Sequence, residues 1–84
     1  MEYYLIIARS ITYAQRMSRV LERIGIRAQI FRAPVGLTDR GCSYALRLRT
    51  EHLASALRAL HEAGLNPIQV FLFQQGDYHE LEPR

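Results

Sequence analysis

An α+β sandwich, with four antiparallel strands and two helices on one face, is the fold this sequence predicts. Three observations predict it. Short β-rich runs alternate with two stretches of helical periodicity. Each helical stretch ends in a glycine followed by an apolar residue, Gly25-Ile26 and Gly64-Leu65. The chain also repeats itself. Arg19-Val20-Leu21-Glu22-Arg23-Ile24-Gly25-Ile26 resembles Arg58-Ala59-Leu60-His61-Glu62-Ala63-Gly64-Leu65, and a short strand with Phe31 or Phe71 follows each. Two βαβ halves of this kind give the ferredoxin-like β-α-β-β-α-β sandwich, with sheet order 4-1-3-2.

The elements follow in order. Tyr3 to Ala8 is short and β-rich, so it is strand one. Ser10 supplies an N-cap. Ala14, Met17, Leu21 and Ile24 then recur at helical spacing, with Arg16, Arg19 and Glu22 on the other side. Arg27 to Phe31 is strand two, and Arg32 to Gly41 is a loop marked by Pro34, Gly36, Asp39 and Gly41. Ser43 to Arg49 alternates as strand three. Leu46 and Leu48 face the helices there, because Arg47 and Arg49 are costly to bury. Thr50 caps a second helix with Glu51 in its first turn and a stripe of Leu53, Leu57 and Leu60. Ile68 to Phe73 is strand four. Residues 1–75 form one domain, and 76–84 read as a loose polar tail.

Composition bounds the function. The chain has 84 residues, 49% hydrophobic and 23% charged, which is ordinary for one small globular domain. A single cysteine excludes an internal disulfide and fits a reducing compartment. The longest apolar run, Leu5 to Ala8, is far below the roughly 20 residues of a membrane span. The expectation is a cytoplasmic protein without a membrane partner. Charge is uneven. Residues 1–49 carry nine Arg against Glu2, Glu22 and Asp39, giving +6, while residues 50–84 carry two Arg against five acids, giving −3. Every basic residue other than histidine is Arg, whose planar fork suits carboxylates and phosphates.

The candidate site centres on Cys42. The expected topology gathers the end of strand one, the start of helix one, the end of strand two and the start of strand three at one edge. That edge collects Arg9, Ser10, Arg32, Arg40, Gly41, Cys42 and Ser43. Cationic neighbours and a helix N-terminus lower a thiol pKa, and the thiolate is the nucleophile. Gly41 allows close backbone approach. Cys42 shares the parity of Tyr44, Leu46 and Leu48, so it leans toward the helix side. The bland alternative is a cysteine packed as a small hydrophobe.

A Tyr-rich first strand, a Met-x-x-x-Leu helix stripe, a Pro-containing loop and a Gly-Cys opening of strand three resemble a small bacterial family of selenium/sulfur carrier-like proteins. The likeness runs from about Tyr3 to Phe73 and rests on Pro34, Gly41 and Cys42. It implies a carrier, more accessory protein than enzyme, whose cysteine holds selenium or sulfur as a persulfide-type adduct. Its partners would be donor and acceptor enzymes, and it needs no cofactor. The chain has Val35 and Ser43 where the family commonly has Arg and Gly.

Other constellations are weaker. Arg40 to Arg47 loosely matches an RNA-recognition signature, but turning Cys42 and Tyr44 outward would bury Arg47 and Arg49, so nucleic acid is a distant third reading. His52, His61 and His79 lack metal-ligand spacing. If Leu5 and Ile7 face inward on strand one, Tyr4 and Ile6 face outward, and strand four likewise puts either Ile68, Val70 and Leu72 or Phe71 and Phe73 on the open side. Apolar side chains left on the open sheet face suggest a homodimer or a docked partner there. The competing class is therefore an interaction or oligomerisation module in which Cys42 merely packs.

Overall fold

The computed structural model describes residues 1–34, 36–37 and 43–81. It is an α+β fold with two helices and a five-stranded antiparallel sheet. The elements run β1 Tyr3–Ala8, α1 Ile11–Arg23, β2 Gln29–Arg32, β3 Tyr44–Arg49, a 3-10 turn Thr50–His52, α2 Leu53–Glu62, β4 Gln69–Gln74 and β5 Asp77–Glu80. The sheet order is β2-β3-β1-β4-β5. Read from β4, the first four strands lie in the order 4-1-3-2.

The fifth strand corrects the expected four-strand sheet and the loose tail. Gln74 pairs with Asp77, leaving Gln75 and Gly76 as a two-residue hairpin loop. Both have positive φ, 53° and 82°, the combination that matches the twist of the flanking strands. The strand Asp77-Tyr78-His79-Glu80 is polar, so it lacks the alternation that marks a half-buried strand. Two helices, each about 10 Å wide, span about four strands at roughly 4.8 Å spacing. The fifth strand overhangs them. A groove of about 720 Å³ between α2 and the hairpin results, floored by Val70 and Leu81 and walled by Leu53 and Leu57.

Both helices pack on one side, against Ile6, Ala8, Leu46 and Leu48. Leu46 and Leu48 are inward as expected. Within β1, where both parities are apolar, the register decides which one faces inward. Ile6 faces the helices, and Leu5 and Ile7 face the other side. Register explains it: Ile6 pairs with Leu46 and Tyr4 with Leu48, and directly paired residues share a face. The sheet side away from the helices is not open apolar surface either. Leu5, Ile7, Ala45 and Phe71 are buried there beneath Phe31, Ala33, Leu37 and Tyr78. The exposed large hydrophobics among the described residues are Met1, Ile11 and Ile24, none of them in a strand.

The helix ends match the sequence pattern closely at their C-termini. Gly25 N–H donates to the Glu22 carbonyl and Ile26 N–H to the Leu21 carbonyl, with Gly25 at φ 81°. Gly64 and Leu65 repeat this onto His61 and Leu60, with φ 73°. Ile26 and Leu65 are buried, so each motif ends a helix and plugs the core. No atom lies within 4 Å of an added Cβ at Gly64. Gly64→Ala is thus expected to cost only the backbone term, about 1–2 kcal/mol, read as a lower urea midpoint at unchanged slope. Elsewhere the ends differ from expectation. Ile24 is half exposed as the C-cap of α1, outside its buried stripe of Ala14, Met17 and Leu21. Thr50 begins a 3-10 turn rather than capping α2. In α2 the fully buried residues are Ala56 and Leu60, with Leu53 and Leu57 half-buried at the groove.

A row of rings crosses the sheet away from the helices. Arg47 of β3 lies 4.1 Å from the Tyr3 ring centroid. Tyr3 stacks on Phe73 of β4 at 4.8 Å, and Phe73 meets Tyr78 of β5 at 4.9 Å. The Tyr3 and Tyr78 hydroxyls hydrogen-bond at 3.4 Å. That bond, burial and the neighbouring Tyr3 charge raise the Tyr78 pKa above its ordinary 10.0, with Arg47 opposing. Below pH about 10 both folded and unfolded chains hold the proton. Above it the unfolded chain ionises first, so stability falls as pH rises. The urea midpoint is expected to drop more steeply above pH 10 in the parent than in Tyr3→Phe, which lacks the hydroxyl partner. Equal slopes would remove the coupling.

Candidate functional site

The sheet register builds one end of the molecule. Ala8, the last residue of β1, pairs with Tyr44, the first of β3, and Tyr44 pairs with Arg32, the last of β2. Arg9 and Ser10 follow Ala8 in the chain, and Ser43 precedes Tyr44. The pairing of β2 with β3 extends one step further, with the Ala33 N–H donating to the Ser43 carbonyl at 3.0 Å. Four expected site residues, Arg9, Ser10, Arg32 and Ser43, therefore share this end. Arg40, Gly41 and Cys42 lie outside the described residues.

Each of the four has a defined local role. Ser10 is the N-cap of α1, and its Oγ accepts from the Tyr13 N–H at 3.1 Å. This fixes where the helix starts and aims its positive end at the site. No acidic residue sits in the first turn, so that end keeps its partial charge. Arg9 is exposed, with its guanidinium 4.7 Å from the centre of the Tyr13 ring. A cation over an aromatic face is held there by the ring quadrupole. Arg32 is exposed at the end of edge strand β2, and Ser43 is buried at 3%.

Two residues that sequence reasoning passed over help to shape this end. Tyr13 holds Arg9, and the signal was an Arg-Tyr pair four residues apart across the cap. Leu37 packs on the side of the sheet away from the helices. The turn that presents it is closed by the Leu37 N–H donating to the Pro34 carbonyl at 3.2 Å. Gly36 there has φ 83°. The signal was a leucine inside a loop marked by Pro and Gly.

The arrangement concentrates positive charge and helix dipole where β3 begins. Such surroundings favour an anion over its neutral form. A larger cleft, about 830 Å³, lies at the opposite sheet end. It mixes Glu2, Glu22 and Glu51 with Arg27, Arg47 and Arg49. With Arg49 paired to Glu51 at 3.3 Å, it offers no field of one sign. Among the described residues, no group of three or more His, Cys, Asp or Glu is placed to hold a metal. None of their helices is long and apolar enough to cross a membrane.

Residues 3–72 match the model of a protein family described as "Putative Se/S carrier protein-like". No curated protein and no solved structure matches the chain.

Proposed function

Because the chain belongs to the Se/S carrier protein-like family, we propose that it carries selenium or sulfur covalently on Cys42. The observation that carries this reading is the extent of the match: residues 3–72 include the chain's single cysteine. The first four strands and two helices are read as a ferredoxin-like core, to which β5 is an added edge.

The chemistry needs no external oxidant. The Cys42 thiolate attacks the terminal chalcogen of a donor hydropersulfide or its selenium counterpart. A bond from Sγ to that chalcogen forms as the donor's own sulfur–chalcogen bond breaks, and the donor leaves as its thiolate. The proton on the terminal chalcogen travels with it or is lost to water. Release to an acceptor thiolate is the same exchange in reverse. Both directions depend on the thiolate fraction of Cys42 and on how well it leaves. Arg9, Arg32 and Arg40, with the positive end of α1, stabilise the anionic forms. Gly41 is the residue type that tolerates close backbone approach, Ser43 precedes β3, and Ser10 orients the helix.

The experiment is intact mass spectrometry of the protein after exposure to inorganic polysulfide or selenide with elemental sulfur, together with the pH profile of Cys42 alkylation. A mass gain that dithiothreitol reverses supports the carrier. An unmodified, slowly alkylated thiol returns Cys42 to packing and leaves the interaction module in front.

A further inference from the structure

A row of arginines lies along α1. Arg16, Arg19 and Arg23 are all exposed. At about 100° per residue they fall within about 60° of one another, and they span about 10 Å of helix axis. Ala14, Met17 and Leu21 are buried on the opposite side of the same helix, so the three arginines point straight out. Glu22, the one acidic residue of α1, lies to the side of this line. Among the described residues no carboxylate lies within ion-pairing distance of the three. The helix starts at the end of the sheet where β3 begins, so the row of arginines leads away from the proposed site.

We infer that this arginine ridge docks an acidic surface of a partner protein, carboxylates spaced about one helical turn apart. The inference rests on the carrier reading, which requires a donor or acceptor enzyme to reach the end that bears Cys42. Guanidinium forks bind carboxylates and phosphates alike, but the stretch from Arg16 to Arg23 contains no aromatic residue on which a base could stack. Tyr13 is taken by Arg9, and Tyr3, Phe73 and Tyr78 occupy one another on the far side of the sheet. An acidic protein needs no stacking platform, whereas single-stranded nucleic acid normally uses one.

The test compares two variants of equal charge change, Arg16→Glu/Arg19→Glu and Arg49→Glu/Arg58→Glu. Binding of fluorescent polyglutamate and of polyuridylate is followed by anisotropy over a salt series. The ridge variant is expected to bind polyglutamate about tenfold more weakly at low salt, with the control close to the parent. Equal losses in both variants would reduce the effect to net charge and overturn the ridge. So would no polyglutamate binding by the parent, or ridge-dependent binding of polyuridylate tighter than of polyglutamate. Circular dichroism confirms folding of each variant. Polysulfide loading of Cys42 is measured alongside. Failure of the carrier chemistry appears as a missing adduct in the parent and leaves the binding comparison readable.

Discussion

Cys42→Ser is expected to abolish the chalcogen adduct outright, with the fold retained. The substitution exchanges one sulfur for oxygen, and the chain offers no second cysteine to take the load. In the parent, the discriminating measurement is the midpoint of the alkylation profile rather than the rate at neutral pH. An ordinary thiol, with pKa about 8.5, is about 3% thiolate at pH 7. Lowering the pKa by about 1.5 units raises that fraction roughly fifteenfold. Intrinsic nucleophilicity falls with pKa at a Brønsted slope of about 0.5, which returns a factor of about five. The net gain in rate is only about threefold, whereas the midpoint moves by the full shift. Arg9→Gln and Arg32→Gln are each expected to move the midpoint back toward 8.5 without removing the adduct. A parent midpoint already at 8.5, with no adduct formed, would end the carrier reading.

How much of this could be read from the sequence follows from what each residue answers to. Local chemistry was legible. Ser10 caps α1 and both Gly-plus-apolar pairs close their helices as expected, because caps depend on a few neighbouring residues. The alternation of β3 was legible too, since arginines on one parity leave a single inexpensive orientation. Ile6 and Leu5 were not. β1 is apolar on both parities, so only its partner strand decides which side faces the helices. Asp77–Glu80 hid for a related reason: a polar edge strand is defined by its hairpin partner β4 and by Tyr78 reaching Phe73 and, across 75 residues of chain, Tyr3. At the candidate site, topology correctly brought Arg9, Ser10, Arg32 and Ser43 to one end. Tyr13 and Leu37 escaped because their roles depend on what lies beneath or above them.

The burial of the second sheet face leads to the largest expected stability effect. A sheet with helices on one side only would leave Leu5 half solvated, and trimming it would cost little. Here Leu5 is fully buried, packed with Ile7, Ala45 and Phe71. Leu5→Ala therefore removes buried methyl groups and opens a cavity, a change worth about 2–5 kcal/mol. At roughly 0.05–0.15 kcal/mol per residue, an 84-residue domain holds about 4–13 kcal/mol in total. The substitution thus consumes a large part of the stability. At about 4–8 °C per kcal/mol, Tm is expected to fall by on the order of 10–30 °C. Ile24→Ala is the internal reference. Its side chain is half exposed at the end of α1, and its cost should stay below about 1 kcal/mol. If calorimetry gave the two variants the same Tm, the face opposite the helices would be solvated and the second core would not exist. A large gap between them means that Phe31, Ala33 and Leu37 form a working lid.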